Sequence, residues 1–155
     1  MQENDLPQVR QGLLEHYRAK KLPAEKVAST VVRHLEVARQ MLSDPASTIL
    51  VALQHDEIVG FTSGINEREG KAAAIWTFSF KKPEAPNKGA GIGTMLFKAK
   101  LQALMNKGAK TITGSSVGGI ASKRMIEKAA GELELQHKFF ETDDGFSFKI
   151  ERRTK

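Results

Sequence analysis

Lys88-Gly89-Ala90-Gly91-Ile92-Gly93 is the stretch in which residue type and spacing most clearly suit chemistry. Three glycines without side chains let successive amide N–H groups turn toward one anion. A helix opening at Gly91 adds the positive end of its dipole, and Lys88 adds a full charge. A diphosphate suits such a cradle, although a glycine run between strand and helix also serves simply as a tight connection. No Gly-Lys-Ser or Gly-Lys-Thr follows, so the stretch is not a nucleotide-triphosphate loop. A dinucleotide fold would place the motif after its first parallel strand, whereas an antiparallel meander precedes it here.

Other reactive groups are sparse. The chain has no cysteine, which removes disulfides, thiolate nucleophiles and thiolate metal sites. His16, His34, His55 and His137 are scattered without metal spacing, so they read as surface histidines and no metal is expected. On AAAIWTFSF, Trp76, Phe78 and Phe80 alternate with Ile75, Thr77 and Ser79, giving one set to core packing and the other to a ligand cleft. Ser115, Ser116, Gly118 and Gly119 form a second turn before a helix, either a capping turn or a cleft wall.

The elements that must hold these groups follow from periodicity. Asp5 or Asn4 caps a first helix with Pro7 in its first turn, and Leu6, Val9, Leu13, Leu14 and Tyr17 recur at helical spacing until about Lys20. A second helix from Pro23 carries Val27, Val31, Leu35, Ala38 and Leu42, until Ser43, Asp44 and Pro45 stop it. Ile49 to Leu53, Ile58 to Ile65 and Ala72 to Phe80 then read as an antiparallel meander. KKPEAPNKGAGIG is a loop, after which Ile92, Met95, Leu96, Ala99 and Ala103 restart a helical stripe that stops at Gly108. Thr111 to Ser115 is a short strand and Ile120 to Ala130 a helix with Gly131 just past its end. Leu133 to Glu141 and Phe146 to Glu151 form a final hairpin across Asp143, Asp144 and Gly145.

At 155 residues, 40% hydrophobic and 27% charged, the chain fits one globular domain, residues 1–155. Its order predicts an α/β layered fold with a mixed sheet, in which the strands ending at Phe80 and Ser115 run parallel under the helix from Ile92. The net charge of +6 fits an anionic small ligand, a nucleic acid or plain solubility. Basic residues are spread through the helices, with one cluster, Lys149, Arg152, Arg153 and Lys155, at the C-terminal tail. No apolar run approaches the roughly 18 to 20 residues that span a bilayer, and MQENDLPQVR lacks the order of a signal peptide. A cytoplasmic location without a membrane partner is expected.

From Asp5 to Phe148 the chain resembles the GNAT acetyltransferase superfamily. In that family a bulged strand is followed by Arg or Gln, two residues, Gly, one residue, then Gly or Ala, and a helix; Lys88, Gly91 and Gly93 stand at those places. DLPQVRQGL, ILVALQHDEIVGFTSG and the closing hairpin are also similar to the family's pieces. The resemblance implies a GNAT-like, mostly antiparallel mixed sheet flanked by helices on both faces, its first strand short or missing. It further implies that acetyl-CoA, as co-substrate, rests its pyrophosphate on the amides of Gly89, Ala90, Gly91, Ile92, Gly93 and Thr94. The pantetheine arm would follow the strand ending at Ser79 and Phe80, and an amide near Phe78 to Phe80 would polarise the thioester carbonyl.

The chain departs from the family pattern in four places. The family's opening strand is expected to be missing or vestigial, and Lys88 stands for Arg or Gln, losing the guanidinium fork. IASKRMIEKAAG lacks the tyrosine that in many members protonates the departing thiolate, and Met125 or Ile126 holds that place; either the thiolate leaves without that acid, or Ser122 or Lys123 substitutes, or the site does no chemistry. The chain's one tyrosine, Tyr17, is far off in sequence. AAAIWTFSF offers no Glu or His as base, leaving Glu84, Glu67 and Glu69 as the nearest carboxylates, Glu84 foremost, or a water chain in their place.

Two functions are therefore expected in competition. One is an N-acetyltransferase passing an acetyl group from acetyl-CoA to a primary amine by direct attack, as a monomer or homodimer. The other is a catalytically silent module of the same fold that binds CoA or a nucleic acid. The sequence lacks the aromatic-plus-basic pattern of an RNA-binding sheet, which disfavours the nucleic-acid version.

Overall fold

The computed structural model describes residues 1–80, 91–116 and 119–153. After a 3₁₀ turn at Glu3–Asp5 come α1 (Leu6–Arg18), α2 (Ala24–Leu42), β1 (Ser47–Gln54), β2 (Glu57–Asn66) and β3 (Lys71–Ser79). Then follow α3 (Ile92–Asn106), β4 (Thr111–Ser116), α4 (Ile120–Glu132), β5 (Leu135–Thr142) and β6 (Gly145–Arg152). The six strands form one sheet in the order β1-β2-β3-β4-β6-β5, antiparallel except where β3 meets β4.

Local sequence accounts for most of these boundaries. Pro7 sits in the first turn of α1, where its missing N–H costs nothing. Asp5 precedes the helix, but its carboxylate accepts the Gln2 N–H at 2.8 Å and so closes the 3₁₀ turn rather than capping α1. Past α2, the Asp44 carboxylate takes the Ala46 N–H at 2.9 Å, an Asx turn that directs the chain into β1. His55 and Asp56, both left-handed (φ 51 and 64), make the two-residue link from β1 to β2 that the twist of paired strands favours.

Helices cover both faces of the sheet. On one face Val9 and Leu13 of α1 and Val27 and Val31 of α2 pack with Phe61 and Phe80. Gly12 is indispensable there, because a Cβ at that position would lie 2.4 Å from the Phe80 ring. On the other face Leu101 and Leu104 of α3 and Ile126 of α4 meet Ile112, Phe146, Phe148 and Ile150.

Three expectations need correction. The buried stripe of α3 is Leu96, Phe97, Lys100, Leu101 and Leu104, while Met95 is 55% exposed. The stripe is rotated because a lysine occupies an inward position, which the apolar period alone does not register. Gly131 lies inside α4, which ends at Glu132; the left-handed turn falls on Glu134 instead (φ 57). Lys149 and Arg152 belong to β6 rather than to a tail.

Candidate active site

β3 and β4 pair only through Lys71↔Thr111, Ala72↔Ile112 and Ala73↔Thr113, although β3 continues to Ser79 and β4 to Ser116. The cause lies on the other edge of β3. Between Gly64↔Ala74 and Thr62↔Thr77 the register slips, so that Ile75 and Trp76 together face Ser63. Such a bulge adds twist and bends its strand, here just past the last residue paired with β4. Hydroxyls hold it in place: Ser63 Oγ accepts the Trp76 N–H at 3.3 Å, and Thr62 Oγ1 donates to the Trp76 carbonyl at 2.8 Å.

Where the strands part there is a cavity of about 660 Å³. Trp76, Thr77, Phe78 and Ser79 of β3 and Ser115 and Ser116 of β4 line it. His16 and Tyr17 of α1, Lys20 in the turn after it and His34 of α2 wall one side. Ser122, Met125 and Ile126 of α4, with Thr142, Asp144 and Phe146 around the β5–β6 turn, wall another, and Phe97 and Lys100 of α3 complete it.

The structure brings together some of the sequence-predicted residues. Phe78, Ser79 and Ser122 line the cavity. Phe80 is buried against α1, and its N–H is already bonded to the Val59 carbonyl at 2.8 Å. Alternation along an antiparallel strand then turns the amides of Phe78 and Phe80 toward β2 and those of Thr77 and Ser79 toward the side that β4 has left. Gly91 precedes α3 in the left-handed region (φ 77), and Ile92, Gly93 and Thr94 form its first turn, whose N–H groups lie ahead of any intrahelical partner. No described residue accepts from those three amides. A Cβ on Gly93 would sit 3.0 Å from Met125 Sδ, so the start of α3 abuts a residue of the cavity wall. Glu84, Lys88, Gly89, Ala90 and Gly118 lie outside the described residues. Glu67 and Glu69 do not line the cavity.

Two groups escaped the sequence reading. The first is aromatic: the reading of His34 as a surface histidine is overturned, because it is 7% exposed and stacked on Trp76 at 4.4 Å between centroids. Its Nδ1 lies 2.8 Å from the Thr30 carbonyl and must carry the proton, leaving Nε2 to accept from the Tyr17 hydroxyl at 3.2 Å. Burial lowers the His34 pKa, with the Thr30 bond opposing and Arg33 assisting. Burial raises that of Tyr17, with Arg33 opposing. The sole tyrosine, remote in sequence, thus lines the cavity. Helical spacing from Leu13 and Leu14 to Tyr17 was the available signal.

The second is Lys100, only 1% exposed. Its Nζ donates to Thr77 Oγ1 at 2.9 Å and to the Trp76 carbonyl at 3.2 Å, so the lysine completes the bulge from the α3 side. Thr77 Oγ1 in turn lies 2.8 Å from Thr62 Oγ1. Since the Thr62 hydrogen goes to Trp76, Thr77 must donate to Thr62 and accept from Lys100. Burial pulls the Lys100 ammonium down from 10.5 to about 7. The Phe97 ring, 4.8 Å from Nζ, favours the charge by about 0.5–2 kcal/mol, less than the several kcal/mol that dehydrating an ion costs. No sequence signal marked it, because a lysine within a helix ordinarily reads as solvated.

The described residues contain no cluster of three or more His, Asp or Glu side chains able to hold a metal, and no helix among them is long and apolar enough to cross a membrane.

The fold has solved counterparts of low sequence identity. The PaiA N-acetyltransferase of Thermoplasma acidophilum, solved with coenzyme A, superposes with a TM-score of 0.70 at 14% identity over 97% of this chain and 95% of that one. A GNAT-family acetyltransferase of Staphylococcus aureus Mu50 gives 0.66 at 12% identity over 96% and 94%. The aminoglycoside acetyltransferase AAC(6')-Ib, in complex with coenzyme A, gives 0.65 at 18% over 99% and 92%. No curated protein sequence matches significantly. The model of the Acetyltransferase (GNAT) family matches residues 11–131, more than half of the chain, which therefore belongs to that family.

Proposed function

We propose that the protein is an N-acetyltransferase that passes the acetyl group of acetyl-CoA to a primary amine by direct attack within a ternary complex. The observation that carries this reading is the parting of β3 from β4 beyond Ala73 and Thr113, with the start of α3 against one wall of the resulting cavity. A pantetheine arm is an extended chain of amides, and the unpaired edge of β3 can hydrogen-bond it as a neighbouring strand would. In this reading the amides of Gly89 to Thr94, with Lys88, hold the pyrophosphate. The Ser79 amide, turned to the open side, polarises the thioester carbonyl, whose oxygen gains charge as the amine attacks. Ser122 faces the cavity from α4 and serves the departing sulfur as a hydrogen-bond donor.

Membership of an acetyltransferase family supports the reaction class. Coenzyme A in the PaiA and AAC(6')-Ib structures supports the donor, and kanamycin in a further AAC(6')-Ib structure supports an amine acceptor. Calorimetry with acetyl-CoA is expected to give stoichiometric binding. A thiol-release assay over polyamines, peptides and aminoglycosides is expected to find turnover with at least one amine. Absence of stabilisation by millimolar cofactor would overturn the reading, and binding without thiol release would leave a silent module.

A further inference from the structure

Resting on that reading, we propose that Lys100 is the proton acceptor of the transfer, removing the proton from the acceptor amine where β3 and β4 part. The sequence offered Glu84 for this role, and no histidine or carboxylate stands on β3 itself. Lys100 is a nitrogen base that lines the cavity and meets β3 at Trp76 and Thr77, on the unpaired stretch of strand that carries the pantetheine arm in that reading.

The hydrogen bonds fit an uncharged amine. A neutral lysine has two N–H groups and one lone pair; Trp76 O and Thr77 Oγ1 take the two hydrogens, and the lone pair is left over. An ammonium would carry a third hydrogen, for which the described residues supply no hydrogen-bond acceptor, only the face of the Phe97 ring. Nor does any carboxylate among them pair with Lys100. β2 and β3 present to it the hydroxyls of Thr62 and Thr77 and a backbone carbonyl, and its own helix presents the Phe97 ring. The titratable groups lining the same cavity are His16 and Tyr17 of α1, Lys20 in the turn after it, His34 of α2 and Asp144 beside β6. The lowered pKa, about 7 through burial, keeps much of the amine unprotonated at neutral pH.

The proton count closes. The acceptor R–NH₃⁺ gives one proton to Lys100 Nζ and becomes R–NH₂, whose lone pair forms the C–N bond. The C–S bond breaks with its electron pair on sulfur, and the nitrogen loses its second proton as the amide forms. One of the two protons ends on the CoA thiolate and the other in solvent, which returns Lys100 to its neutral form.

A bulge-filling lysine with no part in proton transfer would give the same static contacts, so the test must separate the two. In Lys100→Met, kcat/KM is expected to fall by about 10²- to 10³-fold while the acetyl-CoA Kd stays within about threefold. The wild-type rise of kcat/KM with pH up to about 7 should disappear with it. Lys100→Arg, charged at all working pH, is expected to be equally impaired, whereas rescue by arginine would assign a purely structural role. If Lys100→Met does not fold, NMR of wild-type protein labelled at lysine Cε supplies the second measurement. One lysine resonance should titrate near neutrality and shift when CoA is added; titration of every lysine near 10.5 would overturn the proposal. Thiol release that Lys100→Met retains within twofold, with an unchanged pH profile, overturns this proposal alone. No thiol release from the wild-type protein removes the transferase reading and this proposal with it.

Discussion

Tyr17 and His34 illustrate how single residues acquire roles that their sequence positions hide. The phenol donates to an imidazole nitrogen whose partner nitrogen is fixed by the Thr30 carbonyl, so the chain of bonds has one direction. Tyr17→Phe is expected to lower stability by about 1 kcal/mol, because it leaves the buried His34 Nε2 without its donor. Denaturant unfolding checks this, and an unaltered midpoint would mean that the bond does not form in solution. Lys100 was illegible for a related reason: residue type and helical period both assign a lysine to solvent, and its burial is made tolerable by acceptors on β3, the Thr77 hydroxyl and the Trp76 carbonyl.

At the scale of elements, α3 and the bulged β3 do the positioning. Gly91 holds the left-handed turn from which α3 begins, and beyond its chain neighbours no described residue lies within 4 Å of the place a Cβ would take. The obstacle to substitution that the described residues show is therefore backbone conformation. Gly91→Val is expected to cost on the order of 1 kcal/mol or more in stability, since a β-branched residue is poorly accommodated at positive φ. If the amides beyond it hold a pyrophosphate, acetyl-CoA affinity should drop at least about tenfold, as their direction depends on that turn. Calorimetry decides, and an affinity equal to that of the unaltered protein would move the anion site elsewhere. The meander, both early helices and the last hairpin were read within a few residues of their bounds, because alternation and helical period are local properties.

For the whole molecule, the buried lysine ties folding to pH. Lys100 titrates at about 7 in the folded protein against 10.5 when exposed, so between these values the unfolded chain binds more protons. Stability must then rise as pH climbs from about 7 toward 10, by on the order of 5 kcal/mol from this group. Tyr17, with its folded pKa raised, works the other way only above about pH 10, and His34, with its own lowered, loses stabilisation as pH falls below about 6.5. Urea unfolding across pH 6 to 10 tests this; Lys100→Met should flatten the rise, and a profile that does not change on that substitution would show the lysine to be solvated.

Composition and periodicity by themselves determined the absence of thiol chemistry, the element types, the mixed sheet and the glycine-led turn into α3. Each depends on residues close together in the chain, where sterics and apolar spacing act directly. The tertiary structure alone decided where β3 leaves β4, which amides of β3 face the opening, and that Tyr17, His34 and Lys100 share one cavity. Those outcomes arise from a bulge set by a partner strand and from side chains meeting across 17 or more residues of sequence, distances over which no local pattern carries information.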